Sequence, residues 1–377
     1  MRPRRLVALL NAYTEGMSGG DAWFIEIAKR LRGFELVVVT SALGEAACRE
    51  RGLVTCFWLT TREARFTGVI ATYLLRTFKG LLLTRRIRSG DLVYATSDFL
   101  PDVLPAFGWK IRHRHVGWVQ KIHHMIPLKR RIPHAAQKVS HMLIKAAADV
   151  IIVNSALLRD ELLRHGFPPE RVRVNYPGID LRQFHAPAAE GPPLYDGVFL
   201  GRLHPSKGIF DLVDIWQNVR AARPSATLAV IGRGERRTIA ALQEKIAAAG
   251  LTHHINLLGF LETAAVIDVL RRSRVFVFPS REEGFGIAIL EAMASGLPVV
   301  AWDLPVYREV FPQGVVRVPV GAHETFASEV VRLLASADLR HQLVLAGQRL
   351  LPRYDWDAVA LREAKAMSGM PDTAAIA

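Results

Sequence analysis

VFVFPSREEGFGIAILEAMASGLPVVA, residues 275–301, is the stretch on which the fold turns. Residues 275–278 are apolar, β-rich and unbroken, as expected of a strand buried on both faces of a parallel sheet. Pro279 ends it. Gly284 and Gly286 permit a tight turn with close backbone approach, and the spacing of Ile287, Leu290 and Ala294 predicts a helix capped by Ser295 and Gly296. Residues 298–301 read as the next strand. Strand, loop and helix N-terminus in that order present free backbone N–H groups to a ligand at the carboxyl edge of a sheet.

Two carboxylates flank this N-terminus, Glu283 before the turn and Glu291 about two helical turns further on. Either would repel a nearby phosphate, so their natural partners are hydroxyl donors such as those of a ribose or a hexose. Acidic residues near a helix start also simply favour the macrodipole, and the pair by itself leaves both readings open.

The segment as a whole resembles the signature of the retaining glycosyltransferases of family 4. The matching residues are Pro279-Ser280, Glu-Gly-Phe-Gly at 283–286, Leu-Glu-Ala-Met-Ala at 290–294, Gly296, and Pro-Val-Val at 298–300. The resemblance implies an α/β chain of GT-B architecture, with two Rossmann-like domains whose parallel sheets face a central cleft.

Composition agrees with two domains, since half of the 377 residues are apolar and each half of the chain is long enough to bury its own core. No run approaches the ~18 apolar residues that span a bilayer, because Lys145 and Asp149 interrupt residues 142–153. Cys48 and Cys56 make neither a disulfide framework nor a zinc pattern and suit a reducing compartment. The expectation is a cytoplasmic protein, with peripheral attachment to the inner face of the cell membrane as a further possibility of the same kind.

The net charge of +14 is one-sided: residues 1–185 hold 29 Lys and Arg against 15 Asp and Glu, whereas the remainder is balanced. Such a field favours anionic partners, here an acidic membrane surface or a phosphorylated lipid. An Arg-rich solvated surface is the plainer reading. No zinc-finger, RRM-like or basic-zipper pattern supports nucleic acid.

Residues 6–10 form a first buried strand, residues 16–20 a glycine-bearing loop, residues 21–31 a helix and residues 36–39 a second strand. This is a Rossmann-type opening without G-x-G-x-x-G. The loop resembles the family's Gly-Gly-x-Glu, with Ser18-Gly19 and then Asp21 in the place of the glutamate, which implies donor contacts at Gly19 and Gly20. Further on, Ile70, Tyr73, Leu74, Phe78, Leu81 and Leu82 share one helical face, with Arg76, Lys79, Arg85, Arg86 and Arg88 around or just beyond it. Both an interfacial membrane helix and an ordinary sheet-covering helix look like this.

Residues 116–122 read as a strand delivering Ile-His-His-Met-Ile-Pro, residues 122–127, to a carboxyl edge. The segment resembles the family's His-Asp-Leu-x-Pro loop. That implies His123 as a catalytic residue facing sugar and acceptor, with His124 beside it on the acceptor. Lys129, Arg130 and Arg131 extend a basic rim. Residues 186–193 carry three prolines and no core-forming residue, as in a linker.

The second half begins with a strand at 198–200 and then Gly-Arg-Leu-His-Pro-Ser-Lys-Gly at 201–208. Arg202 offers a planar fork to phosphate oxygens and Lys207 a point charge. Their match to the family's Gly-Arg and Lys-Gly implies a diphosphate held without metal. Strands at 227–231, 255–258 and 275–278 alternate with helices at 238–249 and 264–270 as a second parallel α/β unit.

The domains expected are 1–185 for the acceptor, a linker at 186–197, 198–350 for the nucleotide sugar, and a helix and tail at 351–377 packing toward the first domain. The resemblance implies catalysis by Glu283, His123, Lys207 and Arg202. Donor binding falls to Gly19, Gly20, Arg202, Lys207, Phe285, Gly286 and Glu291, and acceptor binding to His123 and His124. No cofactor or metal is expected. The partners are a nucleoside diphosphate sugar, a saccharide or lipid-linked acceptor and an anionic membrane surface, in cell-surface glycan synthesis. A non-catalytic binding protein on the same fold, a phosphorylase and a nucleotide-sugar epimerase remain open as alternatives, because fold alone does not prove activity.

Overall fold

The computed structural model describes residues 3–12, 18–62, 68–113, 115–126, 130–184 and 192–368. Gly16, Met17, Pro127, Lys129, the linker residues 186–191 and the end of the tail lie outside these. Two compact units divide the chain, residues 1–178 with 356–377, and residues 179–355.

The first unit holds β1 (Arg4–Leu9), β2 (Phe34–Thr40), β3 (Cys56–Leu59), β4 (Leu92–Ala95), β5 (Gly117–Ile122), β6 (Val150–Val153) and β7 (Val172–Val174). They form one parallel sheet ordered β3-β2-β1-β4-β5-β6-β7. Its helices are α1 (Gly19–Ala28), α2 (Ala42–Glu50), α3 (Val69–Leu82), α4 (Leu100–Arg112), α5 (Arg131–Ala147) and α6 (Ala156–Arg164). Successive strand side chains alternate between the faces. Val7, Leu9, Val93 and Trp118 therefore pack on one side, and Leu6, Ala8, Tyr94 and Val119 on the other. Both faces are covered, which is why these strands are continuously apolar; each buried aliphatic side chain contributes about 1.5–3 kcal/mol.

The second unit holds β8 (Tyr195–Leu200), β9 (Leu228–Ile231), β10 (Ile255–Gly259), β11 (Ser273–Phe278), β12 (Val299–Trp302) and β13 (Val315–Val318), parallel in the order β10-β9-β8-β11-β12-β13. Helices α7 (Ile209–Ala222), α8 (Arg236–Ala248), α9 (Thr263–Arg271), α10 (Ile287–Ala294), α11 (Pro305–Val310), α12 (His323–Ala335) and α13 (Ala337–Gln348) connect and cover them. β8 starts at Tyr195, three residues inside the expected linker, and residues 179–184 belong to this unit rather than to the first.

The last helix, α14 (Trp356–Ser368), is part of the first unit, where Trp356, Val359 and Ala360 pack on Trp23 and Ile27 of α1. Its Glu363 is fully buried, accepts from Tyr94 and from Asn175 Nδ2 at 2.7 Å, and pairs with the Lys121 ammonium at 3.1 Å. Two donors and one opposite charge around one carboxylate keep the buried charge tolerable and fix α14 on the sheet.

Helix α4 runs through Pro101 and Pro105, residues that disguise it in the sequence. Pro105 has no N–H to give the Pro101 carbonyl one turn back, and Asn11 Nδ2 donates to that carbonyl instead, at 3.2 Å.

Helix α3 resolves the ambiguity of its sequence in an unexpected way. Thr72, Arg76, Thr77 and Gly80 are buried, whereas Ile70, Leu74, Phe78 and Leu82 are 58–68% exposed. The polar stripe faces the protein because Arg76 donates to Thr61 and to the Asn11 carbonyl, and Tyr73 donates to the Ala12 carbonyl.

Candidate active site

In each sheet the strand order reverses once, between β8 and β11 in one unit and between β1 and β4 in the other. Loops leaving the carboxyl ends of such strand pairs diverge and leave a crevice. The residues singled out above leave the sheets there.

In the second unit, the loop after β8 carries Arg202 and Lys207, and the loop after β11 carries Glu283, Phe285 and Gly286. Lys207 Nζ sits 2.6 Å from Glu283 Oε1 and 3.2 Å from the Glu282 carbonyl, while Ser280 Oγ donates to the same Glu283 oxygen at 3.1 Å. The loops are locked by Arg281 N donating to the Ser206 carbonyl. Gly208 has φ +69°, and a Cβ there would run into the Pro279 carbonyl, so this closeness requires glycine.

Gly286 is the N-cap of α10 with φ +104°, and a Cβ would press on Tyr307 and Phe311. The Phe285 ring points into the core, 5.6 Å from Tyr354 and 6.0 Å from Phe311 between centroids. The side chain therefore anchors the turn. Arg202 is exposed and its side chain has no partner among the described residues. Glu291 lies on α10, its carboxyl without a hydrogen bond or ion pair to another described residue, and burial pushes that carboxyl up to about 7.

In the first unit a pocket of about 420 Å³ opens at the β1/β4 switch point. Gly19 and Gly20 at the start of α1, Thr96 to Phe99 after β4, and His123 and His124 after β5 line it. A Cβ on Gly20 would lie 2.8 Å from His123 Nε2, so the two expected positions touch; among the described residues nothing stands near Gly19. His123 Nε2 donates to the Thr96 carbonyl at 2.9 Å, and the ring meets Trp23 edge-on at 5.6 Å. Burial, and then the Lys121 ammonium, lower its pKa to about 4. The imidazole is thus neutral, with its proton on Nε2 and a lone pair on Nδ1. His124 is exposed.

Asp21 closes a capping box: its Oδ2 accepts from Ser18 N at 2.9 Å and Ser18 Oγ at 2.7 Å, and Ser18 caps its N–H in return. Asp98 and Asp102, which the sequence reading passed over, also line the pocket. Burial pushes Asp102 up to about 7 against the lowering bonds from Ser97 and Asn11. The one signal for Asp98 was a polar Thr-Ser-Asp run directly after a buried strand.

Asp211, Asp214 and His323 are close enough to share a cation. They already have partners: Arg281 forks Asp211 at 2.7 and 2.8 Å, His323 Nε2 reaches it at 2.9 Å, and Lys245 holds Asp214 at 2.6 Å. Burial alone would raise Asp211, but the bonds and charges of Arg281 and His323 outweigh it and leave the carboxyl lowered.

Two parallel Rossmann-like sheets, each with ligand-facing loops at its switch point, make this a GT-B protein. Anabaena HepE, solved in complex with UDP, superposes with a TM-score of 0.78 over 97% of this chain and 100% of its own; at 19% identity this concerns the fold. Residues 19–183 match "Glycosyltransferase Family 4" and residues 195–336 match "Glycosyl transferases group 1", and the chain belongs to this family.

The phosphatidyl-myo-inositol mannosyltransferase of Mycobacterium leprae is 38% identical over 167 residues, 43% of each chain. The Mycobacterium tuberculosis protein of that name is 32% identical over 194 residues, 48% of this chain and 50% of its own. This chain thus spans about half the length of these curated relatives. The D-inositol 3-phosphate glycosyltransferase of Streptomyces bingchenggensis is 26% identical over 95% of this chain and 88% of its own.

Proposed function

We propose that the chain moves a hexose from a nucleoside diphosphate sugar to a saccharide or lipid-linked acceptor, with retention and without a metal ion, at an anionic membrane surface. The observation that carries this reading is the convergence at the β8/β11 switch point of Arg202, Lys207, Glu283 and the start of α10, with the Glu291 carboxylate unpartnered on that helix.

Arg202, Lys207 and the α10 N-terminus meet the negative charge that grows as the diphosphate leaves. Glu291 accepts from ribose hydroxyls and Glu283 from sugar hydroxyls near the reacting carbon. The anomeric C–O bond to the diphosphate breaks, the acceptor oxygen bonds the same face, and its proton passes to a leaving phosphate oxygen. His123 and His124 serve the acceptor, His123 through the Nδ1 lone pair that its bond to Thr96 leaves free. No Asp-x-Asp is present in this loop set to seat a metal on the diphosphate, and the cations stand in for one.

The likeness to the phosphatidyl-myo-inositol mannosyltransferases supports a lipid-linked acceptor. The exposed apolar face of α3, continued by exposed Arg85, Arg86 and Arg88, supports a membrane surface.

A thermal-shift panel of UDP-, GDP- and ADP-sugars selects the donor, since a ligand that binds only the folded state raises Tm. NMR of the product then decides the reaction. Transfer with the donor's anomeric configuration, undiminished in EDTA, is the expected result. Phosphorolysis, an epimerised sugar, or binding without turnover would overturn it.

A further inference from the structure

We propose that Asp98 selects the acceptor, its Oδ1 accepting a hydrogen bond from a hydroxyl of a neutral polyol ring seated in the pocket at the β1/β4 switch point. The inference rests on the glycosyltransferase reading and assigns a chemistry to the reacting end of its acceptor.

Asp98 is only 5% exposed, yet it lines the pocket. Two donors of α5 hold one of its oxygens from behind: Gln137 Nε2 lies 2.8 Å from Oδ2 and His141 Nε2 lies 2.9 Å from it. Oδ1 has no partner among the described residues. A buried carboxylate ordinarily finds donors for both oxygens, so one fixed on a single side and open to a cavity is built to accept a bond from outside.

The other carboxylates of the pocket are committed differently. Asp102 receives Asn11 N at 2.7 Å on Oδ1 and Ser97 Oγ at 2.5 Å on Oδ2. Asp21 gives its Oδ2 to the cap of α1 and is only half-buried, so its other oxygen is open to water rather than held in a buried setting as in Asp98.

Charge decides the class of ligand. Asp21, Asp98 and Asp102 line the pocket, and among the described residues no Lys or Arg does. A phosphate seated there would face carboxylates without a counter-charge, whereas hydroxyls find acceptors in Asp98 and in His123 Nδ1. The basic excess of the first half lies outside this pocket. An acceptor that is neutral and hydroxyl-rich at its reacting end and anionic beyond it satisfies both features.

The test uses the full chain and Asp98→Asn. The asparagine oxygen can keep the bonds from Gln137 and His141, which turns its NH2 toward the ligand in place of Oδ1. Shape is kept and polarity reversed. Myo-inositol, methyl α-mannoside and inorganic phosphate are titrated by saturation-transfer NMR, with and without UDP or GDP. The expected result is binding of a neutral polyol to the wild type, no competition by phosphate, and a roughly ten- to hundredfold weaker polyol affinity in Asp98→Asn, the scale of a lost charged hydrogen bond.

Equal polyol binding by both proteins, no polyol binding by the wild type, or phosphate competing for the pocket would each overturn the proposal. A merely structural Asp98 would lower Tm and leave polyol affinity alone. Nucleotide binding is read in the same samples as a separate arm, so failure of the glycosyltransferase reading shows there and not in the Asp98 comparison.

Discussion

Lys207 and Glu283 form an ion pair 2.6 Å long, with side chains 19% and 12% exposed, across the two loops of the β8/β11 switch point. The two residues proposed for leaving-group charge and for sugar hydroxyls are therefore not independent. Removing one partner leaves the other's charge uncompensated.

Glu283→Gln frees the Lys207 ammonium for a diphosphate while withdrawing the carboxylate from a carbon that becomes cationic. Affinity for free nucleoside diphosphate should be kept or increased, and transfer should fall. Lys207→Ala should lower kcat by roughly 10²-fold or more, on the scale of other lost oxyanion donors, with a smaller loss of donor affinity. Calorimetric titration beside steady-state rates checks both. Abolished diphosphate binding in Glu283→Gln together with normal turnover in Lys207→Ala would reverse the assignment.

Glu291 yields a prediction that couples stability to function. Burial raises its carboxyl to about 7 from an ordinary value of 4.5. The folded state therefore keeps a proton that the unfolded chain gives up, and this group destabilises progressively as pH rises from about 4.5 to about 7. Glu291→Gln removes the penalty. At pH 8 it should be more stable than the wild type, by on the order of 1–3 kcal/mol, with the gain vanishing toward pH 4. Nucleoside diphosphate binding should weaken in the same variant. Denaturant melts of both proteins at several pH values measure the first effect, and a gain over the wild type no larger at pH 8 than at pH 4 contradicts it.

The cluster at the β8/β11 switch point was legible because its residues are local in the chain. Arg202 with Lys207, and Glu283 with Glu291, each sit in one strand–loop–helix segment whose apolar run and glycines announce it. Asp98 was not legible, because its meaning lies in Gln137 and His141, 39 and 43 positions away. Helix α3 shows a second limit. Periodicity reveals that a helix has an apolar face but not which face the protein covers, and here Asn11 and Thr61 claim the polar one through Arg76. Helix α4 was hidden by two prolines, one of whose lost bonds is replaced by a side chain from another element.

The outward apolar face of α3 leads to a third prediction. Leu74 and Phe78 are 68% and 60% exposed, so Leu74→Ser with Phe78→Ser should leave Tm nearly unchanged. Binding to anionic phosphatidylglycerol vesicles should fall in that variant. Reversal of Arg85, Arg86 and Arg88 to Glu should weaken it too, each cation near the surface contributing about 1 kcal/mol and the effect fading with salt. Cosedimentation reports both, and equal binding to neutral phosphatidylcholine would remove the electrostatic part.

The last prediction separates Gly19 from Gly20 at the start of α1. Both are helical, and alanine in a helix is favoured over glycine by about 1 kcal/mol, so propensity alone would make either substitution mildly stabilising. Space distinguishes them. Among the described residues nothing lies within 4 Å of a Cβ on Gly19, whereas a Cβ on Gly20 comes 2.8 Å from His123 Nε2, the atom that donates to the Thr96 carbonyl. Gly20→Ala must push the imidazole off that carbonyl, and the bond that fixes its tautomer is lost. The His123 ring of the wild type should stay neutral down to about pH 4, with its proton on Nε2. In Gly20→Ala the ring should titrate closer to an ordinary histidine and transfer should fall roughly tenfold or more, the range in which misplacing a reacting group costs rate. Gly19→Ala should keep the ring's signature and its titration. Long-range 1H–15N spectra across pH read the tautomer and the titration together; a ring that titrates near 6.5 in the wild type, or a Gly20→Ala variant with unaltered His123 signals, would refute the contact.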